Sequence, residues 1–153
     1  MARGEAWISE ARSRLRVGDL FEWPAIVITI ETNARAHGAI SKEAIRRAIP
    51  LPSLELGECR HTRLDDRDYV FACLWAPGSE YDDALVRQLS RGALHEASRG
   101  HLPELAFPLF GGSESHRFIE VMVNELLRAS HRLEKAGHHV PEALLVTREA
   151  LIL

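Results

Sequence analysis

Leu105-Ala106-Phe107-Pro108-Leu109-Phe110-Gly111-Gly112-Ser113-Glu114-Ser115 sets an apolar run directly against two glycines and a polar, helix-opening stretch. The run from Leu105 to Phe110 reads as a short buried strand, and a helical pattern follows from about Ser115 to Ala136. Phe118, Val121, Met122, Leu126, Ala129 and Leu133 share one side of that helix as core residues. Arg117, Glu120, Arg128 and Lys135 serve the other side, and Gly137 ends it. A strand, a glycine turn and a long amphipathic helix are the building unit of an α/β fold, so the rest of the chain is read for further units.

Upstream, Ala25-Ile26-Val27-Ile28-Thr29-Ile30 is β-branched, almost wholly apolar and preceded by Pro24, as suits a central strand covered on both faces. Trp7 to Val17 mixes Ile8, Ala11, Leu15 and Val17 with polar residues and is read as an extended segment ending at Val17. Arg12, Arg14 and Arg16 alternate along it, giving either a solvated strand edge or a local basic patch. Ser41 is expected to cap a helix carrying Ile40, Ala44, Ile45 and Ala48, which Pro50 and Pro52 end. Leu56 to Thr62 and Asp68 to Trp75 read as strands joined by the polar turn Arg63 to Arg67. Asp82 to Arg99 is a helix with Leu85, Leu89, Ala93 and Ala97 inward and Gly100 at its C-cap, and Glu142 to Thr147 is a last strand.

Strands alternating with amphipathic helices imply a mostly parallel or mixed sheet with helices on both faces. Neither a repeat nor a low-complexity linker interrupts the pattern, so residues 1–153 are expected to form one domain. Ligands in such folds lie beyond the carboxyl ends of strands, which directs attention to the turns after Ile30 and after Phe110.

Composition narrows the class. The 153 residues are 46% hydrophobic and 27% charged, which excludes a disordered or collagen-like chain. The net charge of -3 comes from interspersed acids and bases, so bulk nucleic-acid binding is not expected. With no signal-peptide pattern and no apolar run near the ~20 residues that span a bilayer, no membrane partner and a cytoplasmic location are expected. Cys59 and Cys73 are read as buried thiols. Cys59 and His61 are spaced to share a strand face and His138-His139 adjoin Gly137, but no second cluster completes a tetrahedral metal site. Walker, Gly-x-Ser-x-Gly and His-Glu-x-x-His patterns are absent, so the usual hydrolase and NTPase signatures are missing, and no cofactor is expected.

Three features bear on chemistry. Gly111, Gly112 and Ser113 let backbone amides approach a ligand ahead of a helix N-terminus, an arrangement that holds a diphosphate without lysine or serves as a tight connection. Glu31-Thr32-Asn33-Ala34-Arg35-Ala36-His37-Gly38 is either a ligand loop or a solvated polar loop with Gly38 as its turn residue. In the former, Asn33 offers an amide, His37 an imidazole and Glu31 a carboxylate that can act as a base. Asp19, in Val17-Gly18-Asp19-Leu20, either accepts from an exocyclic amine or stabilises its own turn.

In order along the chain, Val17-Gly18-Asp19-Leu20, Ala25-Ile26-Val27, Gly38-Ala39-Ile40, the strand Val70 to Leu74, the helix holding Ala93 and Leu105-Ala106-Phe107-Pro108 before glycines resemble a macro domain. The resemblance covers roughly Leu15 to Thr147. It implies a three-layer α/β/α sandwich around a mixed sheet, with ADP-ribose or a related nucleotide in a crevice at the strand ends. By that resemblance Asp19 meets the adenine amine, Gly111, Gly112 and Ser113 wrap the diphosphate and distal ribose, and Phe110 borders the ligand or joins the core. The family's Asn-Ala-Ala-Asn is replaced by Ile28-Thr29-Ile30-Glu31, so the asparagine of many family hydrolases is out of register, and Gly38 is the following loop's single glycine.

The leading expectation is therefore nucleotide binding by Asp19, Asn33, Gly38, Phe110, Gly111, Gly112 and Ser113. An ADP-ribosyl or O-acyl-ADP-ribose hydrolase using Asn33, His37 or Glu31 is the alternative. A third reading is a degenerate macro fold kept as an interaction module, homo-oligomer included, with Ile28, Ile30 or Phe110 filling the crevice.

Overall fold

The computed structural model describes residues 6–111, 115–149 and 151. Its strands are β1 (Leu15–Val17), β2 (Ala25–Glu31), β3 (Arg35–Ala36), β4 (Cys59–Leu64), β5 (Arg67–Trp75), β6 (Glu104–Pro108) and β7 (Glu142–Thr147). The helices are α1 (Ala6–Arg14), α2 (Gly38–Arg46), α3 (Asp83–Arg99) and α4 (Ser115–Lys135). The sheet order is β1-β7-β6-β2-β5-β4, and β3 pairs with β2. β1, β7, β6, β2 and β5 run parallel, while β4 and β3 are antiparallel to their neighbours, which makes the sheet mixed.

Alternation along the strands divides the core between two faces. Val27, Val70, Ala72, Leu105, Phe107 and Leu145 pack beneath α3 and α4, with Ala11 of α1 in the same cluster. Ile26, Ile28, Ile30, Tyr69, Phe71 and Cys73 face the other way, toward Ala44 of α2 and the Ile49 and Leu54 segment. Helices thus cover both faces, giving the three-layer α/β/α sandwich with macro-domain-like architecture. Met122 and Phe118 of α4 are fully buried, as core residues.

The opening segment differs from its expected extended form. Ala6–Arg14 is helical, and only Leu15–Val17 is a strand, so Arg12 and Arg14 belong to a helix and Arg16 alone to β1. Contacts distant in sequence hold this helix, which rests on α4 and β7, with the Arg14 guanidinium donating to the Ala143 carbonyl at 3.0 Å. α2 starts at Gly38 rather than at Ser41. Ser41 lies inside the helix, fully buried, and its Oγ accepts from the His37 N–H at 2.5 Å. The β4 to β5 turn is tighter than expected, because Asp65 (φ 47°) and Asp66 (φ 65°) both take left-handed conformations. β4 begins at Cys59 rather than Leu56, and β6 ends at Pro108 rather than Phe110.

At the start of α3, Asp82 Oδ1 accepts from the Leu85 N–H at 3.0 Å. At its end, Gly100 is the C-cap with φ -80°, and His101 takes the left-handed conformation (φ 53°). Glycine is needed at position 100 for space, since a Cβ would lie 2.7 Å from the His61 ring. That ring is held in place, with His61 Nε2 2.8 Å from Asp68 Oδ1 and the His61 N–H donating to Glu96 Oε1.

Gly100→Ala is therefore expected to destabilise the protein by about 1–3 kcal/mol through overpacking. Asp82→Ala is expected to cost about 1 kcal/mol by removing a helix cap, lowering Tm by roughly 2–4 °C per kcal/mol. Thermal unfolding of both variants checks these values; an unchanged midpoint for Gly100→Ala would show that His61 is free to move.

Candidate functional site

Two adjoining cavities lie at the carboxyl ends of the parallel strands. The larger, about 530 Å³, is lined by Thr29 and His37 to Ile40 on one side, Leu74, Trp75 and Tyr81 on another, and Pro108 to Gly111 on the third. The smaller, about 100 Å³, is lined by Gly18 to Phe21, Ala39, Ile40, Glu43, Val146 and Arg148. Ala39 and Ile40 border both, so the first turn of α2 stands at their junction.

Strand pairing explains the opening. Ile30 and Glu31 at the end of β2 pair with β5 on one edge and with Ala36 and Arg35 of β3 on the other. β6 is bridged to β2 only at Ile26↔Ala106 and stops at Pro108, which has no N–H to offer a ladder. The chain leaves β3 directly into α2, whose first-turn amides have no intrahelical acceptor. Its N-cap, His37, makes no side-chain capping bond, and at Gly38 the backbone adopts φ 79°. A helix N-terminus of this kind favours an anion or a polar oxygen at the junction.

Thr29, His37, Trp75 and Tyr81 are the residues lining the larger cavity that carry polar side-chain groups, on otherwise apolar walls. The hydroxyl of Thr29 comes from β2. His37 Nδ1 is 3.0 Å from Glu31 Oε2, and the imidazole lies nearly parallel to the Trp75 ring, 22° between planes. Glu31 is thereby paired across the base of the β2–β3 hairpin, with its side chain only 22% exposed. The Tyr81 hydroxyl is buried without a hydrogen-bond partner among the described residues. Its ring meets Phe118 edge-on at 5.1 Å, and burial pushes the phenol pKa well up, so it stays protonated.

In the smaller cavity, Asp19 Oδ1 accepts from the Phe21 N–H at 3.0 Å and caps the short 3-10 turn Leu20–Glu22. The turn-stabilising role weighed for Asp19 is thus present in a residue that also borders a cavity. Phe21 is buried beneath the Arg47 guanidinium, 4.4 Å from the ring centroid.

Of the residues singled out from the sequence, the structure brings His37, Gly38, Phe110 and Gly111 to the larger cavity and Asp19 to the smaller. Phe110 borders the cavity while being almost fully buried, so it serves the core as well. Asn33 sits exposed at the hairpin tip with φ 63° and lines neither cavity. Gly112 and Ser113 lie outside the described residues. Ile28 and Ile30 pack into the core toward α2 and line neither cavity. Sequence reasoning missed Trp75 and Tyr81. Applying the strand-end rule to the run Tyr69 to Trp75 points to both, since Trp75 ends β5 and Tyr81 immediately precedes the capping Asp82.

A basin at the other end of the strands gathers His95, Ser98, Arg99, His101, Leu133, His138 and His139 where α3 and α4 end. Cationic side chains are favoured at helix C-termini, and His139 Nε2 donates to the Leu102 carbonyl at 2.6 Å. Among the described residues no His, Cys, Asp and Glu group of three or more could hold a metal ion. Cys59 packs against α3, where desolvation pushes its thiol up to about 12.

No family model matches the sequence, and no curated protein matches it. Solved structures do match. A Trypanosoma brucei macrodomain in complex with ADP-ribose aligns with TM-score 0.66 at 17% identity, over 88% of this chain and 63% of that one. The chain thus spans a little under two thirds of that macrodomain's length. The Mycobacterium tuberculosis DarG macrodomain aligns with TM-score 0.60 at 13% identity, over 88% of this chain and 98% of that one. The macro domain of ganglioside induced differentiation associated protein 2 gives TM-score 0.60 at 15% identity, covering 87% and 75%. Across these comparisons the chain has the fold of the macrodomains.

Proposed function

We propose that this chain binds ADP-ribose or a closely related nucleotide in the paired cavities. The observation that carries the reading is the position of the α2 N-terminus at the junction of an open crevice on a macro fold. The base would lie toward Asp19 and Phe21, the diphosphate would receive the first-turn amides of Gly38 to Ile40, and the distal ribose would enter the larger cavity. Gly111, on the third side of that cavity, would meet the distal ribose. Binding of ADP-ribose by the Trypanosoma brucei macrodomain supports the choice of ligand.

An open larger cavity, with Ile28 and Ile30 turned into the core, argues against a crevice filled by its own side chains. Glu31 turns its carboxylate to His37 Nδ1 at 3.0 Å and lines neither cavity, so it does not stand directly against the proposed diphosphate position.

Calorimetric titration with ADP-ribose tests the reading, and absence of heat at millimolar ligand would sink it. Asp19→Ala should weaken binding by about tenfold or more, the equivalent of one charge-assisted hydrogen bond. Ala39→Glu is a sharper check. A carboxylate in a helix's first turn is neutral or favourable for stability. It would nevertheless put negative charge where the diphosphate is expected, so binding should vanish while Tm holds. Retained affinity in Ala39→Glu would place the ligand elsewhere.

A further inference from the structure

The basin where α3 and α4 end, about 790 Å³, stands at the opposite end of the strands from the crevice. No described carboxylate lines it, and five of its seven lining residues are histidine or arginine, in a chain with more acids than bases. Burial first, and then the guanidiniums of Arg91, Arg99 and Arg132, hold the His95 imidazole below the usual histidine range, with only Glu125 opposing them. Glu125 is itself shared between Arg91 at 3.1 Å and Arg128 at 3.7 Å, and Glu96 is taken by Arg99 and the His61 N–H. Helix C-termini ordinarily repel anions, but here their end carbonyls are occupied. Ala97 and Ser98 accept from the N–H groups of Leu102 and His101, and Leu133 and Glu134 accept from those of His138 and Gly137. In the loops, the His139 carbonyl accepts from Ser98 Oγ at 2.5 Å and the Leu102 carbonyl from His139 Nε2 at 2.6 Å. The basin's acceptors are thus used internally, and its surplus is of donors and positive charge. His101 adds a strained element: it holds φ 53°, a backbone suited to glycine, and its ring lies 5.9 Å from that of His139.

We infer that this basin is a second ligand site, which binds a phosphate monoester carried on a flat ring. Its donors come from separate elements: His95 and Arg99 from α3, His101 from the loop after it, and His138 and His139 from the loop after α4. Donors converging from several sides suit a group with three terminal oxygens better than a planar carboxylate with two. Phosphate alone would leave most of the volume unfilled. Leu133 supplies an apolar floor, and the rings of His101 and His139 supply a wall on which a flat ring can stack. The bound dianion offsets the guanidinium field at His95, so that imidazole takes up a proton more readily in the complex. The charged groups that set this field are Arg91, His95 and Arg99 of α3, Glu125 and Arg132 of α4, and the loop histidines 101, 138 and 139. Nothing in the site depends on nucleotide binding at the crevice.

The experiment follows the histidine ring signals of the full chain by NMR during titration with phenyl phosphate, inorganic phosphate and benzoate at millimolar concentration. Phenyl phosphate should shift the His101 and His139 signals and leave His37 unmoved, with inorganic phosphate and benzoate binding more weakly. Saturation with phenyl phosphate should move the His95 titration midpoint upward. Arg99→Gln should weaken binding by about tenfold, the equivalent of one charge-assisted hydrogen bond. His101→Gly should weaken it as well while Tm holds or rises, because glycine fits the left-handed backbone; a merely structural histidine would not separate the two readouts. Shifts at His37 in place of those at His101 and His139 would put the ligand in the crevice and overturn the basin. Benzoate bound as tightly as phenyl phosphate overturns the choice of phosphate, and inorganic phosphate bound as tightly overturns the flat ring. No shift with any probe, or unchanged affinity in both variants, overturns the site outright.

Discussion

The parting of β2 from β6 is the constraint on which the rest of the structure depends. β2 is buried along nearly its whole length and packs on both faces, so its position in the sheet is fixed by the core. Its neighbour β6 ends at a proline, while β2 continues and accepts β3 on the edge that β6 has left. A parallel pair running on together would close the sheet at this point. Instead the separation makes room for a cavity, and the hairpin that fills the vacated edge carries the chain into α2. Both the opening and the helix N-terminus aimed across it follow from that one divergence.

The core of the fold was legible because it rests on periodicity. The continuous apolar runs of β2 and β5 and the apolar stripes of α3 and α4 survive any reasonable tertiary context, and the last strand stands where its apolar run placed it. The opening helix was not legible. Of Ala6–Arg14 only Ala11 is fully buried, and the element is held by α4, β7 and the Ala143 carbonyl, which no local window contains. The start of α2 was misplaced for a related reason. Serine is a common cap, but Ser41 satisfies the His37 amide from inside the helix, and the turn into α2 depends on the unusual backbone of Gly38.

At the site, legibility divided by chemistry. The Gly18-Asp19 turn and Gly111 after Phe110, with φ 116°, advertise themselves because backbone geometry restricts the residues allowed there. The partners that give the larger cavity its character come from another part of the chain. Trp75 and Tyr81 reach it because β5 lies beside β2 and because Tyr81 packs on Phe118 of α4. Asn33, a candidate by its amide, stands exposed at the tip of the three-residue turn that closes β2 onto β3.

The same hairpin changes the electrostatic meaning of Glu31. Read in one dimension, a carboxylate beside an expected diphosphate is a repulsive substitution. Folded, the pairing of Ile30 with Ala36 brings His37 back over Glu31, whose carboxylate faces that imidazole and lines neither cavity. The short hairpin and the Glu31–His37 contact are thus one structural feature, because the three residues between β2 and β3 return the chain so that His37 faces Glu31.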